Sequence, residues 1–220
     1  MTAEAGAEAH PDLPLDPLLL SGASPWNISV QVLEEITSSN DEMLRMGEQG
    51  HPAGTLLFAE RQTAGRGQFH RPWSSAPGQG LWFSLLLRLP INDRTIPLLS
   101  AFAAVALMET LHELGIHDAG IKAPNDILIS GKKTAGILVE TRTGKDSFAV
   151  VGVGLNVNHC LNDFPDELQD RATSLAMSTG AKFDRNAVAS LLIRHLGAAE
   201  RLMHHAPEEL LAAWHRYLFL

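Results

Sequence analysis

The sequence predicts an α+β domain built on a mixed, largely antiparallel β-sheet flanked by helices. Three observations carry this. Short apolar segments recur between turns, several of them spaced as hairpins. Two later segments and one central one carry apolar residues at helical spacing. The composition is that of an ordinary globular chain, with 220 residues, 45% hydrophobic and 19% charged, enough for one large domain.

The elements follow in order. Residues 1–24 are rich in Ala, Pro, Asp and Glu and read as a flexible tail, or extra chain lying on the surface, ahead of a domain at 25–220. Residues 30–36 predict a short strand. Thr37-Ser38-Ser39-Asn40-Asp41-Glu42 then offers Ser or Asn as a helix N-cap, with acidic residues at the positive end of the helix, which runs to about Gly47. Residues 55–60 (TLLFAE) form a buried strand leading into a glycine-rich loop, and 81–88 the strand after it. Residues 97–114 are a helix ended by Gly115, with Met108 and Leu111 in the core. Residues 120–122 begin a strand that Pro124-Asn125-Asp126 breaks. Residues 127–129 pair with 134–141 through a tight turn at Ser130-Gly131, and 147–155 form a further strand. The chain ends in an amphipathic helix at 185–204 and another at about 207–217, opened by Pro207.

Composition excludes several function classes. A net charge of -8 argues against general nucleic-acid binding. The single cysteine, Cys160, allows no intrachain disulfide and fits a reducing cytoplasm. No segment is expected to approach the ~18 uncharged apolar residues of a membrane span. The first Lys or Arg is Arg45, so the basic start of a signal peptide is missing.

One stretch stands apart from this acidic background. From Arg61 to Asn92 there is no Asp or Glu, while Arg61, Arg66, Arg71 and Arg88 are cationic and Gly65, Gly67, Gly78 and Gly80 loosen the backbone. Such a loop suits a phosphate or carboxylate. Alone it reads equally as an exposed connection between strands. Two later stretches change that balance, Lys122 to Glu140 (KAPNDILISGKKTAGILVE) and Val150 to Asn158 (VVGVGLNVN).

In this order the motifs resemble the catalytic domain of biotin–protein ligases, whose pattern runs GRGRxGRxW, PGxGLxxS, KWPNDxxxxxxKxxGIL and GxGxN. Here they stand at Gly65 to Trp73, Pro77 to Ser84, Lys122 to Leu138 and Gly152 to Asn156. The resemblance covers residues 26 to 217. It implies the fold of class II aminoacyl-tRNA synthetases and biotin synthetases. It also implies a two-step reaction: biotin and ATP give biotinyl-5'-AMP, and a lysine of a biotin carboxyl carrier protein, the acetyl-CoA carboxylase subunit, takes the biotin. An acid and a polyphosphate repel each other, so fixed cations and N–H donors are needed around the reacting oxygens.

The resemblance assigns the site residue by residue. Lys133 and Arg66 are the catalytic cations; a lysine at a turn end in solvent is the other reading of Lys133. Biotin falls to Ser38, Ser39, Asn40, Gln62, Gly65, Arg66, Gly67, Gln68, Lys133, Gly136 and Gly152, where Ser38 also reads as a helix cap. The nucleotide falls to Arg66, Trp73, Asn125, Lys133, Gly154 and Asn156, where Trp73 reads equally as an anchor for the loop. Asp126 is the expected Mg2+ ligand. Glycines 136, 152 and 154 are expected to let ligand lie close to the strands. Gln68, His70 and Ala123 depart from the pattern, where Arg, Gly and Trp are usual. Neither a helix-turn-helix ahead of the domain nor a β-barrel after it is expected, so no DNA and no membrane partner is assigned, and monomer and homodimer both stay open. Lipoate or octanoate ligation and a non-catalytic biotin-binding module are the rival functions.

Overall fold

The computed structural model describes residues 13–219. Seven strands form one sheet in the order β1-β2-β3-β7-β6-β5-β4. They are β1 (Gln31–Ile36), β2 (Leu56–Gln62), β3 (Gly80–Leu87), β4 (Ala119–Lys122), β5 (Asp126–Ile129), β6 (Lys132–Arg142) and β7 (Phe148–Asn156). Only β1 and β2 run parallel; every other neighbouring pair is antiparallel. The helices are α1 (Pro17–Ala23), α2 (Ser39–Glu48), α3 (Thr95–Glu113), α4 (Leu175–Thr179), α5 (Arg185–His205) and α6 (Pro207–Arg216). The α+β expectation therefore holds, as does the hairpin turn: Ser130 and Gly131 take φ of 49° and 77° between β5 and β6, the left-handed pair that a two-residue hairpin needs.

Period-two alternation divides the sheet into two faces. On one, Leu81, Phe83 and Leu85 of β3, Val151, Val153 and Leu155 of β7, and Ala135 and Ile137 of β6 pack with the residues of α3 and α5 in the main core. Phe58 and Phe83 stack there at 4.7 Å. On the other face Leu57, Leu86, Phe148 and Val150 pack under Met43, Leu44 and Met46 of α2. That helix covers only one end. Beyond it the same face carries Ser84, Gly152, Gly154 and Gly136, side chains too small to form a core, with Trp82 buried at the far end. The sheet is thus closed on one side and left open at one half of the other, and that half is where a ligand can enter.

Two expectations need correction. Residues 13–24 are not a tail. Leu15 and Leu20 are 4% and 0% exposed. Leu15 N donates to Glu60 Oε1 at 2.6 Å, and Asp16 N donates to Asn186 Oδ1 at 2.7 Å. Arg185, 2% exposed, donates to Leu13 O at 3.0 Å and to Glu60 Oε2 at 2.8 Å. This buried ion pair ties the segment to the strand entering the glycine loop. Residues 1–12 lie outside the described residues. In addition, α3 is long and apolar enough to cross a membrane, with a mean hydropathy of 1.4 over its window. Its apolarity is that of a core helix: 72% of that window is buried inside the protein.

Candidate active site

The glycine-floored half of the sheet opens into a cavity of about 1090 Å³, at the upper end of the usual range for small-molecule sites. Every candidate side chain except Gly65 lines it, together with Arg71, Lys122, Leu138 and Arg171.

One end is polar and rigid. Ser38 caps α2, its hydroxyl accepting from Asp41 N at 3.4 Å. The capping reading of Ser38 therefore stands. Ser39 N donates to Gln62 Oε1 at 2.7 Å, and Gln62 Nε2 donates to Ser75 Oγ at 3.1 Å. Ser84 Oγ lies 2.9 Å from Ser39 Oγ and donates to Asn40 Oδ1 at 2.6 Å. Asn40 in turn donates to Glu140 Oε2 at 2.9 Å. Ser38, Ser39 and Asn40 are each 5% exposed or less. This is a preorganised hydrogen-bonding wall at a helix N-terminus, suited to a small polar ring or an acid.

Arg66 closes this end from above. Its guanidinium donates to Asp41 Oδ1 at 3.1 Å through Nε and to Glu140 Oε2 at 2.8 Å through Nη2. Hydrogen bonding to Asp41 first, then to Glu140, holds its pKa above the usual arginine value against the opposing effect of burial. One oxygen of Glu140 thus serves both Asn40 and Arg66. The motifs assign no site role to Glu140, Asp41 or Ser84, although Ser84 closes the Pro77 to Ser84 stretch.

Of the four arginines in the acid-free stretch, two turn away from the cavity. Arg61 pairs with Glu35 at 2.9 Å. Arg88 donates to His51 O at 2.9 Å and to Gly47 O at 2.8 Å, where it caps the end of α2. Arg71 lines the cavity, 5.9 Å from the Phe69 ring centroid. Phe69 and His70 both adopt positive φ, 58° and 56°, a region costly for side chains other than glycine. His70 stands where the ligase pattern has Gly.

Lys133 reaches the cavity through a β-bulge. The β5–β6 register steps from Ile127↔Ala135 to Leu128↔Lys133, leaving Thr134 as the extra residue. Without it Lys133 and Gly136 would point to opposite faces. With it, Lys133 Nζ lies 3.3 Å from where a Cβ on Gly136 would stand. The ammonium pairs with Asp126 at 2.7 Å and sits 5.2 Å above the Trp73 ring.

Trp73 lies across the floor. A Cβ on Gly136 would be 2.7 Å from its ring, and one on Gly154 would be 2.5 Å away; these two glycines are paired across β6 and β7. A Cβ on Gly152 would stand 2.8 Å from Asn40 Cγ. The three glycines therefore give Trp73 and Asn40 room against the strands, and all three also line the cavity. Gly65 has the same purpose in the loop, with the Trp73 carbonyl 2.8 Å from an added Cβ. Asn125 donates from Nδ2 to Ile137 O at 3.0 Å, and Asn156, 4% exposed, donates to Thr173 O at 2.9 Å. Both amides are committed to the backbone of the cavity wall.

Asp126, the expected Mg2+ ligand, lines the cavity and faces the Lys133 ammonium at 2.7 Å, and no group of three or more His, Cys, Asp or Glu suited to a metal ion occurs among the described residues. A lone carboxylate of this kind would share Mg2+ with nucleotide phosphates and water.

Fold and site together define a synthetase-type α+β domain, in which a mixed sheet carries an anion-ready cavity under a Gly-Arg-Gly loop. The sequence signature of the Biotin/lipoate A/B protein ligase family matches residues 32–158. The chain belongs to that family. It is 44% identical over 155 residues to the bifunctional ligase/repressor BirA of Bacillus subtilis, covering 70% of this chain and 48% of that one. It is 35% identical over 185 residues to the biotin–[acetyl-CoA-carboxylase] ligase of Mycobacterium tuberculosis, covering 82% and 66%. The biotin protein ligase of Aquifex aeolicus, solved with biotin and ATP, superposes with a TM-score of 0.73 at 30% identity, covering 86% of this chain and 78% of that one. The chain spans about half the length of the BirA relatives it matches.

Proposed function

We propose that this chain is an ATP-dependent biotin–protein ligase domain acting by an acyl-adenylate. The observation that carries the reading is the meeting of Arg66 and Lys133 on one cavity, beside the hydrogen-bonded Ser39–Asn40–Gln62–Ser84 wall. Biotin's carboxylate is placed by that wall against the two cations. There it competes with Asp41, Glu140 and Asp126 for charges these carboxylates hold ready. A carboxylate oxygen attacks the α-phosphorus of ATP. The new C–O–P anhydride forms as the bond to pyrophosphate breaks, with Arg66 and Lys133 offsetting the charge on the phosphoryl oxygens. A lysine amine of the carrier protein then attacks the acyl carbon, the amide forms, and AMP leaves with the electron pair. No enzyme nucleophile is required. Mg2+ enters with the polyphosphate as part of the substrate. The carrier is the biotin-accepting subunit of acetyl-CoA carboxylase, in keeping with the name of the 35%-identical relative, and the single cysteine supports a cytoplasmic setting.

Pyrophosphate release with biotin, lipoate and octanoate tests the reading. Release with biotin alone is expected. Release with lipoate or octanoate instead points to the sister activity of the family, and tight biotin binding without release to a binding module.

A further inference from the structure

Five cations line the cavity: Arg66, Arg71, Lys122, Lys133 and Arg171. Arg66 and Lys133 are balanced by carboxylates. Among the described residues, Arg71, Lys122 and Arg171 have no ion-pair partner, although Glu167 and Asp170 share the rim; Arg71 belongs to the glycine loop, whereas Lys122 and Arg171 stand beside Lys133.

Their placement is set by backbone hydrogen bonds. Lys122 is the register partner of Asp126 across β4 and β5, so the two side chains share a face. Asp126 holds Lys133. Lys133 N donates to Arg171 O at 2.8 Å, and Thr173 N donates to Lys133 O at 2.9 Å, so both backbone groups of the lysine engage the 171–173 segment. That segment is itself fixed by Arg171 N to Leu168 O at 2.9 Å and Ala172 N to Leu168 O at 2.8 Å. The Arg171 side chain makes one hydrogen bond, Nη2 to Glu167 O at 2.9 Å, leaving most of its planar fork of donors available. Lys122 and Arg171 therefore stand on either side of the Asp126–Lys133 pair, beyond Lys133 as seen from β3 and β7. The Ser39–Asn40 wall stands over β3 and β7. Three strand spacings separate β3 from β5, about 14 Å, a span suited to an extended acid-plus-nucleotide with Lys133 between its ends.

We propose that Arg171, assisted by Lys122, is the subsite for the β- and γ-phosphates of the nucleotide and for the pyrophosphate that leaves. This rests on the adenylation reading above. A polyphosphate brings several negative charges, and two cations already matched by carboxylates cannot balance them. Arg171 holds the leaving group in line behind the α-phosphorus and acts in the first half-reaction only. Once pyrophosphate has departed, it has no partner in the transfer of the acyl group.

Arg171→Ala, Arg171→Lys and Lys122→Ala test this, since side-chain substitutions keep the backbone bonds that fix the segment. For Arg171→Ala, the KM for ATP and the inhibition constant of added pyrophosphate should each rise about tenfold or more, as loss of a charge-assisted contact implies. Biotin affinity and biotin transfer from supplied biotinyl-AMP to a carrier protein should stay within twofold of the parent. Arg171→Lys should recover part of the loss, and Lys122→Ala should show the same pattern more weakly. An Arg171→Ala protein with parental ATP KM and pyrophosphate inhibition overturns the subsite. So does one that slows transfer from supplied biotinyl-AMP as much as adenylation, because the residue is then merely structural. A parent that releases no pyrophosphate with any acid overturns the adenylation reading and the subsite with it, an outcome separate from the first two.

Discussion

Gly152→Ala places one methyl group where the cavity floor has no room. The added Cβ would stand 2.8 Å from Asn40 Cγ and nearer still to its carboxamide oxygen. Gly152 lies in the middle of β7 at a negative φ, between Ser84 and Leu138 in register, so alanine is no strain on the backbone there and gains roughly 0.5–1 kcal/mol of chain entropy. The opposing loss is the position of Asn40. That side chain accepts from Ser84 at 2.6 Å and donates to Glu140 at 2.9 Å and to Leu138 O at 3.3 Å. Two neutral bonds at about 1 kcal/mol and one to a carboxylate at about 1.5–3 kcal/mol total about 3.5–5 kcal/mol. The net destabilisation is then ~2.5–4.5 kcal/mol. Urea unfolding of parent and variant would measure it, and biotin titration of both would follow the wall's loss of shape, with binding weakened at least about tenfold. A variant within ~0.5 kcal/mol of the parent that binds biotin equally well would refute the claim that Gly152 exists to seat Asn40.

Three further predictions follow from other sites. His159 is 2% exposed, its ring nitrogens find no hydrogen-bond partner among the described residues, and burial pushes its pKa down to about 4 against the weaker pull of Asp163; its neutral form stabilises the fold fully above the ordinary histidine pKa of about 6.5, and this contribution, ~3 kcal/mol, is lost as pH falls from there to about 4. Unfolding measured between pH 7.5 and 4 should show this slope, and His159→Phe should flatten it; an unchanged slope removes His159 as its source. Gln68 lacks the charge that arginine supplies at this place in the ligase pattern, so Gln68→Arg should slow escape of biotinyl-AMP several-fold, worth ~1 kcal/mol; an equal or faster dissociation rate shows that the missing charge does not govern retention. Residues 64–76, with Phe69 and His70 in left-handed conformations, should gain protection from hydrogen exchange on binding biotinyl-AMP, and equal protection with and without it would reject that ordering.

Most of the fold is legible because its elements are locally specified. The β3 and β7 segments alternate toward α3, the Ser130-Gly131 turn demands a hairpin, and Ser38 is both a cap and a motif residue. The parts that escape sequence reading depend on distant partners. The 13–24 segment is held by Arg185 and Asn186, about 170 positions away, and although its leucines and Asp16-Pro17 favour a short buried helix, nothing in it announces those partners. The bulge at Thr134 changes which face Lys133 occupies, and a motif spacing carries no trace of it. Charge counting named Arg61 and Arg88 along with Arg66, yet only the third dimension shows that Glu35 and the end of α2 take the first two. Glu140 and Ser84 lie within the matched stretches, and an acid and a hydroxyl at strand positions pointing to the glycine-floored face were the signal that could have revealed them.

The central claim is that Lys133 and Arg66 serve an acid-activating reaction, and the most direct measurement is biotin-dependent pyrophosphate release by the parent, Lys133→Ala and Lys132→Ala. The Lys133–Asp126 pair is partly exposed, 36% and 24%, so its loss should cost no more than about 1 kcal/mol of stability. Lys133→Ala should stay folded and lose at least about 100-fold in adenylate formation, while Lys132→Ala should remain near the parent. A folded Lys133→Ala protein that forms biotinyl-AMP at the parental rate would contradict the account.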